Sequence, residues 1–294
     1  MTRTLYIIGN GFDLHLGIKS SYSDFRDYII RQWPDGVNLC NQLENFFPSL
    51  DEDGEYLLWS DFERALGKMD TESVLDYCKM GNDIDDYEDI FQYAYNIEDS
   101  PGMYFAPVLN TLYNCFHEWV NSLAIYGGNM AIPYFDRNAL FFSFNYTETL
   151  ENIYKVPVGN VCHIHGKRQS TEKYIYGHNY SWNYTVGETF TDDNALDKIG
   201  VYYRSLCKNS PSLIHNNSWF FSKLKTSSIS KVVIYGCSLG DIDMPYFHEI
   251  SKCIPNTAEW SISVYKTPED VNAAKKLIKT LGLDKNLCHT FDFK

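Results

Sequence analysis

Three things are scarce or missing in this sequence, and each absence excludes a class of protein. No Cys-x-x-Cys pair occurs: the eight cysteines from Cys40 to Cys288 are separated by gaps of 16 to 47 residues. That spacing argues against structural zinc of the ribbon or finger type, and the leading reading assigns no metal ligands. Long apolar runs are missing from the opening, where Met1-Thr2-Arg3-Thr4 leads into only Leu5-Tyr6-Ile7-Ile8 before Gly9. Such a run is too short for a signal-peptide core or a membrane span, and a cytoplasmic location with reduced cysteines is expected. Positive charge is scarce as well: 25 Lys and Arg face 38 Asp and Glu, a formal charge of −13. Nonspecific nucleic-acid binding and docking on an anionic membrane both depend on basic side chains, so neither partner is expected.

What is present is apolar and aromatic material, 44% and 16% of 294 residues, enough for a folded core. Leu5 to Ile8 reads as a buried strand stopped by glycine, and Tyr22, Phe25, Tyr28, Ile29 and Trp33 recur at helical spacing after it. The next hundred residues read as helical. Ser60-Asp61-Phe62-Glu63 has the form of a capping box, 71–80 continues as helix, and Asn82 to Ser100 is an acidic, Tyr-rich loop or short solvated helix. A long amphipathic helix is predicted from about Met103 to Leu123. Strand patterns return at Ala139–Phe144, Val161–His165, Lys231–Tyr235, Trp260–Tyr265 and Leu287–Phe293, with Lys173–Tyr176 weaker. A helix begun by Thr267 covers Pro268–Leu281. Strands alternating with helices predict an α/β, Rossmann-like, mainly parallel sheet covered on both faces. The expected organisation is one domain over 1–294, with a core of 1–34 and 135–294 and a helical insertion of about 35–134.

Ligands of parallel sheets bind beyond the carboxyl ends of strands, so four places are candidates. Gly9-Asn10-Gly11-Phe12-Asp13 offers glycines for close approach and a helix N-terminus for phosphate, or else a plain tight turn; position 14 is Leu, so the full Gly-x-Gly-x-x-Gly spacing is not met. In Ser143-Phe144-Asn145-Tyr146-Thr147 the Asn145 amide suits a water or a ribose hydroxyl, while Asn145 or Thr147 also suits a helix cap. His163 and His165, two apart on a strand, point to one face, which suits a metal pair, a catalytic base with a neighbour, or buried hydrogen-bonded histidines. Lys167 and Arg168 follow as cations. Gly236-Cys237-Ser238-Leu239-Gly240-Asp241 again suits a backbone cradle for phosphate or ribose, with Asp241 alternatively a helix cap.

With these blocks in view, the sequence resembles the AbiH family of bacterial abortive-infection proteins, which act against bacteriophage. The opening IIGNGFDLHLGIKSSYSDF, then SFNYTETLENIY, HIHG with a later GHN, and YGCSLGDIDMPYF carry the resemblance. The same order of blocks also resembles, more distantly, the sirtuin-type NAD-binding fold: Gly9 and Gly11 leading to Asp24-Phe25-Arg26, then Asn145, His165-Gly166, and Gly236 with Ser238-Leu239. The resemblance implies that Asn145 orients a nicotinamide ribose and water and that His165 acts as base on a ribose hydroxyl. Gly9, Asn10, Gly11, Asp13, Arg26, Thr147, Gly236, Ser238 and Asp241 would line the nucleotide. Two departures stand out: Thr147 occupies the position of a sirtuin Asp, and the sirtuin zinc module is missing, with Cys207 the only cysteine between Gly166 and Gly236. The second argues against protein deacylation.

The resulting expectation is an antiphage effector that binds NAD or a related nucleotide as substrate or ligand and hydrolyses it, requiring no other cofactor. A homo-oligomeric copy or a phage-derived trigger is its expected partner. Two alternatives stay open. One is a metal-dependent hydrolase or nuclease using His163, His165, His178 and Asp13 or Asp241. The other is a nonenzymatic nucleotide sensor that signals through its helical middle.

Overall fold

A computed structural model describes residues 3–51, 53–82, 85, 87–125, 135, 136, 138–171, 173–183, 187, 189–265 and 267–292. The chain forms two compact units: Met1–Ser20, Val120–Ile175 and Asn209–Lys294 make one, and Ser21–Trp119 with Tyr176–Lys208 make the other.

The first unit holds a six-stranded sheet: β1 (Arg3–Ile8), β2 (Leu140–Ser143), β3 (Val161–His163), β4 (Ile229–Tyr235), β5 (Glu259–Val264) and β6 (Cys288–Asp292). Every pairing is parallel, in the order β3-β2-β1-β4-β5-β6. This is the Rossmann-like order, and its direction of winding reverses between β1 and β4, where such sheets open a ligand crevice. The central strands are apolar on both sides because both sides are covered, with all four residues of β2 buried, whereas the edge strand β6 has none buried. Leu5, Ile7, Leu140, Phe142, Val232 and Ile234 pack on one face with Phe220, Phe221, Tyr246 and Phe247 from helices. Ile8, Phe141 and Val161 pack on the other with Phe12 and Leu150. The closing helix Pro268–Leu281 begins where its sequence says: the Thr267 hydroxyl accepts from the Asp270 N–H at 3.2 Å, and proline occupies the first turn.

The second unit is helical around an aromatic core. The Phe25 and Trp119 rings lie 5.0 Å apart, and Phe116 and Tyr176 4.5 Å. Ser21 and Asp24 form a reciprocal capping box at the start of Tyr22–Gln32. The box expected at Ser60 and Glu63 is not formed. Ser60 ends the short helix Leu57–Ser60, and the Asp61 carboxylate caps Phe62–Leu66 by accepting from the Arg64 N–H. The acidic stretch before Ser100 is a full helix, Ile90–Ser100, and a π-helical turn at Pro101–Phe105 leads from it into Ala106–Ser122.

Three further helices carry no sequence expectation: Phe190–Ser205, Ser210–Asn216 and Ser218–Thr226. Lys173–Tyr176 is not a strand. Among the described residues no helix is long and apolar enough to cross a membrane.

Candidate functional site

The turns after β1 and β4 meet at the point of reversal. Gly236 has φ +62, and a Cβ there would lie 2.3 Å from the Phe12 nitrogen; a Cβ on Gly9 would lie 2.5 Å from the Gly236 oxygen. Only glycine lets these two backbones interlock. Their amides are spent on one another and on the sheet. Gly9 N–H donates to Tyr235 O at 2.9 Å, Gly11 N–H to Gly236 O at 2.8 Å, and Gly236 N–H to Ser263 Oγ at 3.0 Å. Asn10 begins the six-residue helix Asn10–His15, and its amide is tied to Ser20: Nδ2 donates to the Ser20 carbonyl at 2.7 Å, while Ser20 Oγ donates to Oδ1 at 2.6 Å.

Asp13, on that same helix, is fully buried. Thr147 Oγ1 donates to its Oδ2 at 2.5 Å, and Thr149 Oγ1 to its Oδ1 at 2.9 Å. Burial disfavours the charged carboxylate and pushes its pKa up to about 6, against the pull of Thr147, Thr149 and Asn145 hydrogen bonds and the charge of His163. The resemblance implies Asp13 and Thr147 as nucleotide contacts; here the two bond to each other, binding the first helix to the loop after β2.

Asn145 is the centre of that loop, 5% exposed. Its N–H donates to Ser143 Oγ at 3.1 Å, and its Nδ2 donates to the Gly9 carbonyl at 3.1 Å. Since Gly9 O can only accept, the amide orientation is fixed. Among the described residues, no donor reaches the buried Oδ1 of Asn145. Neither Asn145 nor Thr147 caps the following helix, Thr149–Asn152, which starts at Glu148 without a side-chain cap.

The two histidines part company. β3 ends at His163, so strand alternation no longer governs His165. His163 Nδ1 faces the Asn145 carbonyl at 3.1 Å and Nε2 faces Glu151 Oε1 at 2.9 Å. Burial opposes ionisation of Glu151, but the hydrogen bond and charge of His163, with smaller contributions from its own backbone N–H and from Lys167, together hold the carboxyl below its ordinary value. His165, 3% exposed, packs instead among Phe144, Tyr146 and Tyr246, with centroids at 5.6, 6.5 and 5.6 Å. The expectation that both rings share one strand face is therefore corrected.

The remaining candidates are dispersed. Ser238 is exposed, and Asp241 pairs with Lys276 at 2.7 Å on the surface. The cation expected at Arg168 is occupied: Nε donates to Glu148 at 2.8 Å and a terminal nitrogen to the Leu123 carbonyl. Arg26 and His178 belong to the helical unit. There Arg26 Nε donates to Glu44 at 3.0 Å with its guanidinium over Trp59, and His178 Nε2 meets the Tyr203 carbonyl at 3.3 Å. Among the described residues no group of three or more His, Cys, Asp or Glu could hold a metal ion.

Sequence reasoning missed Ser143, Thr149 and Glu151. Thr149 and Glu151 sit in the quoted block after Asn145, so their positions were in view, but their partners lie on other elements.

No curated protein and no solved structure matches the chain. A family model described as bacteriophage abortive infection AbiH matches residues 5–264, running from β1 through β5 and so through every element of the site, and the chain belongs to that family.

Proposed function

We propose that this member of an abortive-infection family binds NAD or a related nucleotide at the carboxyl ends of β1, β2 and β3 and hydrolyses its nicotinamide glycosidic bond. The observation that carries the reading is the buried Asn145 Oδ1, an acceptor with no donor among the described residues, beside the reversal point of a 3-2-1-4-5-6 sheet. A buried polar atom left unmet costs about 1–3 kcal/mol, and a ribose hydroxyl or a water held by the ligand would meet it.

The chemistry asks little of the protein beyond positioning. Glycosidic cleavage passes through an oxocarbenium-like centre; nicotinamide leaves with the bonding pair, water adds to the ribose carbon, and its proton departs to give ADP-ribose. Asn145, pinned through its main chain and its Nδ2, would orient ribose and water. His165, held in an aromatic shell, would accept a proton from a ribose hydroxyl. Release of nicotinamide from NAD by the purified protein, with and without extracts of infected cells, tests this. Release by wild type that is lost in Asn145→Ala and His165→Ala is expected. Equal release by all three would overturn the catalytic assignment.

One observation favours the sensor reading over turnover: Thr147 stands where the resemblance expects an Asp of the ribose network, and its hydroxyl is spent on Asp13. A nucleotide bound there without hydrolysis would stabilise the fold without releasing nicotinamide.

A further inference from the structure

The loop that carries Asn145 is braced from behind by a buried histidine–carboxylate pair, and that pair is an odd thing to find for stability alone. The His163 and Glu151 side chains are 8% and 9% exposed. A main-chain carbonyl only accepts, so His163 Nδ1 must carry a proton to bond Asn145 O. A proton must also lie between Nε2 and Glu151 Oε1 for that contact to be a hydrogen bond, so both ring nitrogens are engaged at once. The other Glu151 oxygen, Oε2, is buried and meets no donor among the described residues. Burying such a pair costs desolvation that packed apolar side chains of similar volume would avoid, so stability does not select it. What it delivers is direction: a hydrogen bond aimed at the carbonyl of Asn145.

We infer that Glu151 and His163 are positioning residues for Asn145, with Glu151 holding the imidazole ring in its orientation and His163 fixing the Asn145 main chain. This rests on the reading that Asn145 is the working residue of the nucleotide site. Asn145 is then gripped at three atoms: its N–H by Ser143, its carbonyl by His163, and its Nδ2 by Gly9 O. The atom that remains is Oδ1, and its direction is set by the other three. His163 also acts by charge on Asp13, and Lys167 on Glu151, so the brace sits within a field shared by both sides of the loop.

The test separates the brace from the function it serves. Amide hydrogen exchange is followed in the unliganded full chain for wild type, Glu151→Gln and His163→Gln. Nicotinamide release is measured alongside, with Glu151→Asp as the variant that keeps the charge and Asn145→Ala as reference. In both Gln variants, exchange in the 143–149 segment is expected to accelerate about tenfold while β4 and β5 keep wild-type protection. Turnover is expected to fall about tenfold or more with KM nearly unchanged, and Glu151→Asp is expected to recover most of it.

Unchanged exchange at 143–149 in both Gln variants would overturn the inference. So would a uniform loss of protection across the sheet, which would mark a merely structural pair. If local exchange accelerates but Asn145→Ala handles NAD like wild type, the brace stands and the nucleotide reading falls.

Discussion

Between β1 and β4 the contact is backbone on backbone, with Gly9, Gly11 and Gly236 interlocked and their amides paired. Between β1 and β2 it is side chain on side chain, with Asp13, Thr147, Thr149 and Asn145 buried in a polar network backed by His163 and Glu151. Both lie at carboxyl ends of neighbouring strands in one sheet. The glycine junction has few ways to fail gracefully, since any Cβ collides with main chain. The polar junction is chemically adjustable, because its strength depends on the protonation of Asp13 and on two unmet acceptors, Asn145 Oδ1 and Glu151 Oε2. The glycines drew attention as a phosphate cradle, yet in this structure their first role is architecture, and the distinctive chemistry lies one strand over.

The largest effect should come from breaking the glycine junction. Gly236→Ala puts a methyl 2.3 Å from the Phe12 nitrogen in a left-handed backbone, and a loss of about 4 kcal/mol or more in urea unfolding is expected. Asp13 comes next, through pH. Its carboxyl is raised to about 6, so the native state holds the proton more tightly than the unfolded chain. The stabilisation this provides is complete below the unfolded value and lost as pH rises through about 6. Measured as wild type minus Asp13→Asn, unfolding free energy should therefore fall by about 2 kcal/mol between pH 4 and pH 7. A difference independent of pH would show that Asp13 is not a strained buried acid.

Thr149→Val removes one donor from that carboxylate and should cost about 1–2 kcal/mol at neutral pH while moving the Asp13 titration further up, read by the same pH series. The smallest effect is expected outside both junctions. Lys276→Ala breaks the exposed pair with Asp241 and should change stability by less than about 0.5 kcal/mol.

The sequence was most readable where one element dictates its own pattern. β1 and β4 are apolar on both faces and stop at glycine, so their ends, and the candidate loops, could be located directly. Thr267, proline and the spacing that follows announced the last helix in the same way. The helix Ile90–Ser100 was obscured because Ile90, Phe91 and Tyr95 face outward among acids, which blurs the apolar stripe by which a helix is recognised. The site itself was legible as residues but not as relations. Thr147 and Thr149 reach Asp13 across 134 and 136 positions, and nothing local in the chain marks such a pair. His163 and His165 looked equivalent by spacing, and only the end of β3 at His163 sends one ring to Glu151 and the other into an aromatic shell.

The central claim is that a nucleotide meets Asn145 at the reversal edge of the sheet. Titration calorimetry of NAD and of ADP-ribose into wild type and into folded Asn145→Ala tests it most directly. The account predicts saturable binding by wild type weakened about tenfold or more in the variant, the scale of one buried hydrogen bond. Binding of equal strength to both proteins, or none to either, would contradict it.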